Sequence, residues 1–229
     1  QRLAFRDIRP RVAASATIAA SYLKDERLEP PSDLATSLLY GIQTETQGSQ
    51  THYTAVDRRI VTWLINFADP GKLAEIENAP LTREYYSDLV LALQSTFIYD
   101  EAAFCLLPRA EGPETVAEVA DLLSRCRGIH RVLCGAVVGD QLFISVRTGQ
   151  AAGNAAELIH TTLDGLGESG GHEHRAGGQI RLTQCPLTGE PLTDELRNRW
   201  LSACGSDRQR GTRLVARRVA RCAAGGRHI

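Results

Sequence analysis

The sequence predicts an α/β protein in two parts: a helical first part, then a small α/β domain built on a mixed sheet. Three observations carry this. Apolar residues keep helical spacing through most of the first hundred positions. Short β-like runs and helical stripes then alternate as strand, helix, hairpin, helix, strand. The chain has 229 residues, 43% hydrophobic and 23% charged, enough to bury one large core or two small ones.

The elements follow in order. Val12, Ala16, Ala19, Ala20 and Leu23 make the first helical stripe, which Pro30-Pro31 stops. Ser32 caps a second helix carrying Leu34, Leu38 and Leu39. Val56, Ile60, Leu64 and Phe67 make a third, ended by Asp69-Pro70; Tyr85, Leu89, Leu93 and Phe97 make another after Thr82. Ala102 to Pro108 is a short apolar run read as a strand, and Glu114 to Cys126 returns to helical spacing. Val132 to Val138 and Gln141 to Arg147 are β-like runs joined by Gly139-Asp140, a hairpin signal. Asn154 to Leu166 is helical, and Gln179 to Leu182 is a strand. The boundary between the parts is placed at residues 98 and 99, and a C-terminal helix with a basic tail at 185–229, where seven arginines and no acid follow Asp207.

Composition bounds the function. The formal net charge is -1, so contact with nucleic acid has to come from a local patch. No apolar run is long enough to cross a bilayer, and the opening residues do not read as a signal peptide. The six cysteines are scattered without a C-x-x-C pair, which fits reduced thiols in a cytoplasm. The sequence starts at Gln1 and holds no methionine, so further residues are expected ahead of Gln1.

Three segments carry candidate chemistry. "SGGHEHRAGGQI", Ser169 to Ile180, sets two glycine pairs around His172 and His174. It reads as a loop. Bare backbone can approach a ligand, successive N–H groups form an anion site, and a neighbouring histidine or arginine adds directed donors. The plain alternative is a flexible surface turn, with His174 exposed to solvent. "FISVRTG" places Arg147 at a strand end, where its planar fork either meets a phosphate or is simply solvated. "LLYGIQTETQG" sets Glu45 between threonines; a carboxylate suits a hard divalent cation, although the segment also reads as a polar loop after a helix.

Together these segments resemble the DHH/DHHA1 phosphoesterase superfamily, which includes RecJ-type exonucleases and oligoribonucleases. "GIQTETQG" is similar to its Gly-Ile-x-Thr-Asp-Thr motif, "SVRT" to its Ser-x-Arg-Ser/Thr strand, and "GGHEHRAGG" to its Gly-Gly-His loop. "FRDIRPRVAASATIAASYL" resembles the helix after the Asp-His-His triplet, so the likeness runs from about Phe5 to Leu182. It implies the C-terminal part of a DHH domain over 1–98 and a DHHA1 substrate-binding domain over 99–184.

The resemblance also implies an activity. It is metal-dependent hydrolysis of phosphodiester or phosphomonoester bonds in nucleotides or short single-stranded oligonucleotides. The divalent ion is usually manganese, and family members often pair as homodimers. On this chain Arg147, Gly170, Gly171 and His172 would hold the substrate phosphate, and Glu45 would be a metal ligand. The aspartates and the Asp-His-His triplet that supply most ligands in the family do not occur here and are expected upstream of Gln1. Residues 1–229 alone are therefore expected to be catalytically inactive. A second reading, from a different class, is a non-catalytic phosphate- or nucleic-acid-binding module whose basic tail supplies a local patch.

Overall fold

The computed structural model describes residues 5–46 and 53–215. The chain divides into two compact units between Pro80 and Leu81.

The first unit is four helices: α1 (Ser15–Asp25), α2 (Ser32–Thr46), α3 (Ala55–Leu64) and α4 (Pro70–Glu77). Its core is small and aliphatic, from Ala14, Ala20, Ala35, Leu39, Ile42, Ile60 and Leu64. One buried polar residue ties it together. Asp57, fully buried, sits in the first turn of α3 and forms a capping box with Thr54. Its carboxylate also accepts from Thr17 Oγ1 at 2.7 Å and from the Ala13 N–H at 3.3 Å, linking α3 to α1. Asp69-Pro70 begins a helix as well as ending a stripe. Asp69 caps α4 through the N–H groups of Gly71 and Lys72, and proline suits the first helical position because its missing N–H would have no partner there.

The second unit opens with α5 (Arg83–Ser95), capped by Thr82. There follow β1 (Phe97–Tyr99), β2 (Ala102–Leu107), α6 (Pro113–Ser124), β3 (Arg131–Val138) and β4 (Gln141–Thr148). The unit continues with α7 (Ala155–Leu163), β5 (Glu168–Gly171), β6 (Arg175–Arg181), α8 (Gly189–Cys204) and β7 (Thr212–Arg213). The seven strands form one sheet in the order β5-β6-β4-β3-β2-β1-β7, with β2 and β3 parallel and the other neighbours antiparallel. This is the mixed-sheet α/β architecture that the sequence predicts.

Alternation along the strands gives the sheet two apolar faces. Ala103, Cys105, Val132, Cys134 and Ala136 pack with Ala92 of α5 and with Val116, Val119 and Leu123 of α6. Phe104, Leu133, Ile144, Val146 and Ile180 pack on the other side with Ile159 of α7 and Trp200 of α8. Trp200 is fully buried, and its indole N–H donates to the Ala103 carbonyl at 3.2 Å.

One expected boundary moves. The sequence reading cut the chain at 98/99, but α5 lies in the second unit. Ala92 is fully buried there, and its carbonyl accepts from Thr96 Oγ1. The C-terminal helix expected within 185–229 is α8, and its Leu192, Leu196, Trp200 and Leu201 join it to the core of the second unit. The basic stretch is ordered as far as it is described: β7 pairs with β1, and the Arg213 guanidinium lies 4.7 Å from the centre of the Phe97 ring. Arg217, Arg218, Arg221 and Arg227 lie outside the described residues.

Candidate phosphate-binding hairpin

The glycine-rich segment is a β-hairpin. The expected loop is confined to His172–His174, and the strand expected at residues 179–182 runs from Arg175 to Arg181. The register pairs Glu168 with Gln179, Ser169 with Gly178, Gly170 with Gly177 and Gly171 with Ala176. The His172 N–H donates to the Arg175 carbonyl at 2.7 Å and closes the turn. The tip is fastened to the end of β4 and the start of α7. Thr148 donates its N–H to the His174 carbonyl and its hydroxyl to the Glu173 carbonyl, which also accepts from the Ala155 N–H. His174 is half-buried by this fastening, not exposed as expected, whereas His172 is exposed.

The glycines divide into two kinds. A Cβ on Gly178 would lie 2.4 Å from Leu163 Cδ1 and 2.8 Å from the Glu168 carbonyl, so this glycine lets α7 pack on the strand. A Cβ on Gly171 would lie 2.4 Å from Ala176 Cα. These two serve the fold. Gly170 and Gly177 differ: a Cβ on Gly170 meets nothing within 4 Å, and one on Gly177 meets only the Ile144 carbonyl at 3.6 Å. They are directly paired, so they share the α6 side of the sheet, opposite the side on which Gly178 packs. There they leave bare backbone.

The Gly177 backbone floors a groove of about 510 Å³, with Gly170 paired beside it. Pro113, Val116 and Ala117 of α6 form one wall, and Phe143 and Ser145 of β4 lie beside the glycines. Glu168 and Gln179 also line it, their side chains hydrogen-bonded at 3.2 Å. Because β5 is an edge strand, it carries N–H groups that no strand partner takes up.

Arg147 is not a solvated strand-end arginine. Its side chain is 11% exposed, and its fork closes on Asp121 of α6: Nε to Oδ1 at 2.6 Å and Nη2 to Oδ2 at 3.3 Å. Nη1 donates to Ser145 Oγ at 2.6 Å and to the Val146 carbonyl at 3.1 Å. All three guanidinium nitrogens are therefore engaged within the protein.

Glu45 lies in the last turn of α2, which continues through Gly41–Thr46 where a polar loop was an alternative. It is exposed, and no cluster of three or more His, Cys, Asp or Glu that could hold a metal ion occurs among the described residues. A hard divalent cation needs several such ligands, so the described residues do not fit a resident metal ion.

Sequence reasoning missed Asp121, Ser145 and Arg175. Arg175 stands directly opposite Arg147 in the β4–β6 register. Reading RAGGQIR as a strand would have found it, since strand alternation puts Arg175 on the same face as Gly177.

No protein-family model matches the chain. Among curated proteins it is similar to an uncharacterized protein of Methanocaldococcus jannaschii, 29% identical over 179 residues, 78% of this chain and 37% of that protein. Among solved structures it is similar to an exopolyphosphatase-related protein from Bacteroides fragilis. The TM-score is 0.68 at 12% identity, covering 86% of this chain and 58% of that one. RecJ from Thermus thermophilus, solved in complex with Mg2+, gives a TM-score of 0.42 at 16% identity over 84% of this chain and 29% of RecJ. The chain thus spans less than two thirds of each of these proteins. It shares the fold of the exopolyphosphatase-related protein.

Proposed function

We propose that this chain forms the substrate-holding part of a phosphoesterase that acts on nucleotides or short single-stranded oligonucleotides. The observation that carries the reading is the groove floored by the unsubstituted backbone of Gly177, with Gly170 paired beside it. A phosphate group is wide and heavily hydrated. It approaches backbone N–H donors closely only where no Cβ stands in the way. The Gly170 amide faces Gly177 in the ladder, so the Gly171 amide on the free edge of β5 and the His172 imidazole would hold it at the hairpin, with Arg147 bordering the same face of the sheet. The shared fold supports the reading, but fold alone does not assign chemistry.

In this reading the whole protein would hold a divalent ion, manganese by preference, which would supply the activation of water. Glu45 would be one ligand among several. The same reading carries a cytoplasmic homodimer.

The test has two arms. Residues 1–229 are titrated with 5′-phosphorylated diadenylate while backbone amide resonances are followed. Shifts are expected at Gly170, Gly171 and His172, and they should weaken as salt is raised. An absence of shifts in the hairpin overturns the reading. The whole protein is then assayed with Mn2+ on dinucleotides, short RNA, single-stranded DNA and phosphoadenosine phosphate. Binding without hydrolysis across that panel would favour the non-catalytic module.

A further inference from the structure

Arg147 and Arg175 face each other across β4 and β6. Directly opposed residues of an antiparallel pair share a face with Cβ atoms roughly 4.5–5.5 Å apart, and like charges so placed repel. The protein resolves only half of this conflict. Asp121 neutralises Arg147 through two hydrogen bonds. Arg175 is half-buried, and no ion pair among the described residues includes it.

We propose that Arg175, not Arg147, is the arginine that binds the anionic end of the ligand in the glycine-floored groove. The assignment rests on the reading of this hairpin as phosphate-holding and adds a residue to it. Strand alternation puts Arg175 two positions from Gly177 on the same face, next to the residues that line the groove. The groove then has a direction. Glu168, with Gln179, lines it on the other side of Gly177 and repels an anion. A ligand with one charged end therefore lies with its phosphate at Arg175 and its neutral part along Phe143 and Val116, towards Gln179. This polarity fits a phosphate monoester with a flat or apolar body better than a uniformly charged polyphosphate.

Asp121 acts through Arg147 as a positioning residue. It keeps the second guanidinium from competing for the anion and fixes Ser145 beside the floor. An anion at Arg175 also relieves the repulsion between the two arginines, so occupancy should raise the stability of the hairpin.

The test is calorimetric titration of the 229-residue chain with inorganic pyrophosphate and with phenyl phosphate at low ionic strength, with thermal unfolding as the check on folding. Arg175→Gln is expected to weaken phenyl phosphate about tenfold or more, the usual consequence of losing a charge-assisted hydrogen bond. Arg175→Lys should recover part of that loss. Asp121→Asn should tighten binding severalfold, because it releases Arg147 and removes a negative charge. If Arg175→Gln binds like wild type while a folded Arg147→Gln does not, the assignment of Arg175 fails and the phosphate-holding hairpin stands. If wild type and Asp121→Asn both fail to bind either probe, the hairpin reading fails, and this assignment with it.

Discussion

Asp121 of α6 holds Arg147 of β4 by two hydrogen bonds, 2.6 Å and 3.3 Å, across one face of the sheet. The pair is largely shielded on the arginine side, at 11% exposure, and open on the aspartate side, at 45%. It therefore contributes more than a solvated surface pair and less than a fully buried one. Arg147→Ala is expected to lower unfolding free energy by about 1–2 kcal/mol, since it also removes the donors to Ser145 and the Val146 carbonyl. Urea denaturation read by circular dichroism checks this; a loss near zero would mean that α6 docks without the pair.

The two classes of glycine should separate fold from binding. Gly178→Ala pushes a methyl group into Leu163 and the Glu168 carbonyl, so a loss of about 1–3 kcal/mol is expected. Gly170→Ala has open space around its Cβ and should leave stability nearly unchanged. It nevertheless sets a methyl group beside Gly177 of the groove floor and should weaken phosphate-ester binding. Measuring unfolding and binding on both variants tests the division; equal losses of stability would defeat it.

Acid should act on the first unit through Asp57. Burial raises the pKa of its carboxyl, but the hydrogen bonds from Thr54, Thr17 and the Thr54 and Ala13 amides outweigh this and leave it below the ordinary value of 3.8. A carboxylate with a depressed folded-state pKa stabilises fully above its unfolded pKa and loses that contribution as pH falls through the folded value. Unfolding free energy of the wild type should therefore drop below about pH 4. Asp57→Asn should be less stable at neutral pH by about 1–3 kcal/mol and flatter on the acid side. Urea midpoints from pH 2 to 7 decide this, and parallel pH profiles for the two proteins would exclude Asp57 as the cause.

The division at Pro80 makes a prediction about α5. A chain running from Leu81 to Val215 keeps the helix that covers Ala103 and Cys105 and should unfold cooperatively. One running from Tyr99 exposes that apolar strip and should aggregate or melt without a sharp transition. Tyr85 offers a second readout: its hydrogen bond to Glu118 of α6, with burial, pushes its pKa up to about 12. Glu118→Gln should bring the ultraviolet titration of one tyrosine back towards its ordinary value of 10.0.

Most helices and the central strands were legible because burial imposes a period on the sequence. Val132 to Val138 and Gln141 to Arg147 carry it, and Gly139 supplies the turn with φ 63°. The glycine hairpin was not. Glycine has no side chain to show alternation and is depleted in strands, so its pairing becomes visible only with β4 and α7 beside it. The state of Arg147 was hidden differently, because its partner lies 26 residues away on a helix packed across the sheet. The Asp69-Pro70 pair reads as a stop in the sequence, yet α3 already ends at Leu64 and the dipeptide starts α4.

The pairing of β7 with β1 has a mechanical consequence. The Leu214 N–H donates to the Thr96 carbonyl at 3.0 Å, and Arg213 reaches the Gln94 carbonyl, so residues 94–97 and 213–214 are held together at one sheet margin. Force applied between residues 97 and 213 loads only a two-residue ladder. That ladder peels rung by rung, while the hairpin, at the opposite margin of the sheet, stays under no tension. A tug between these two segments therefore unzips the margin before it reaches the groove.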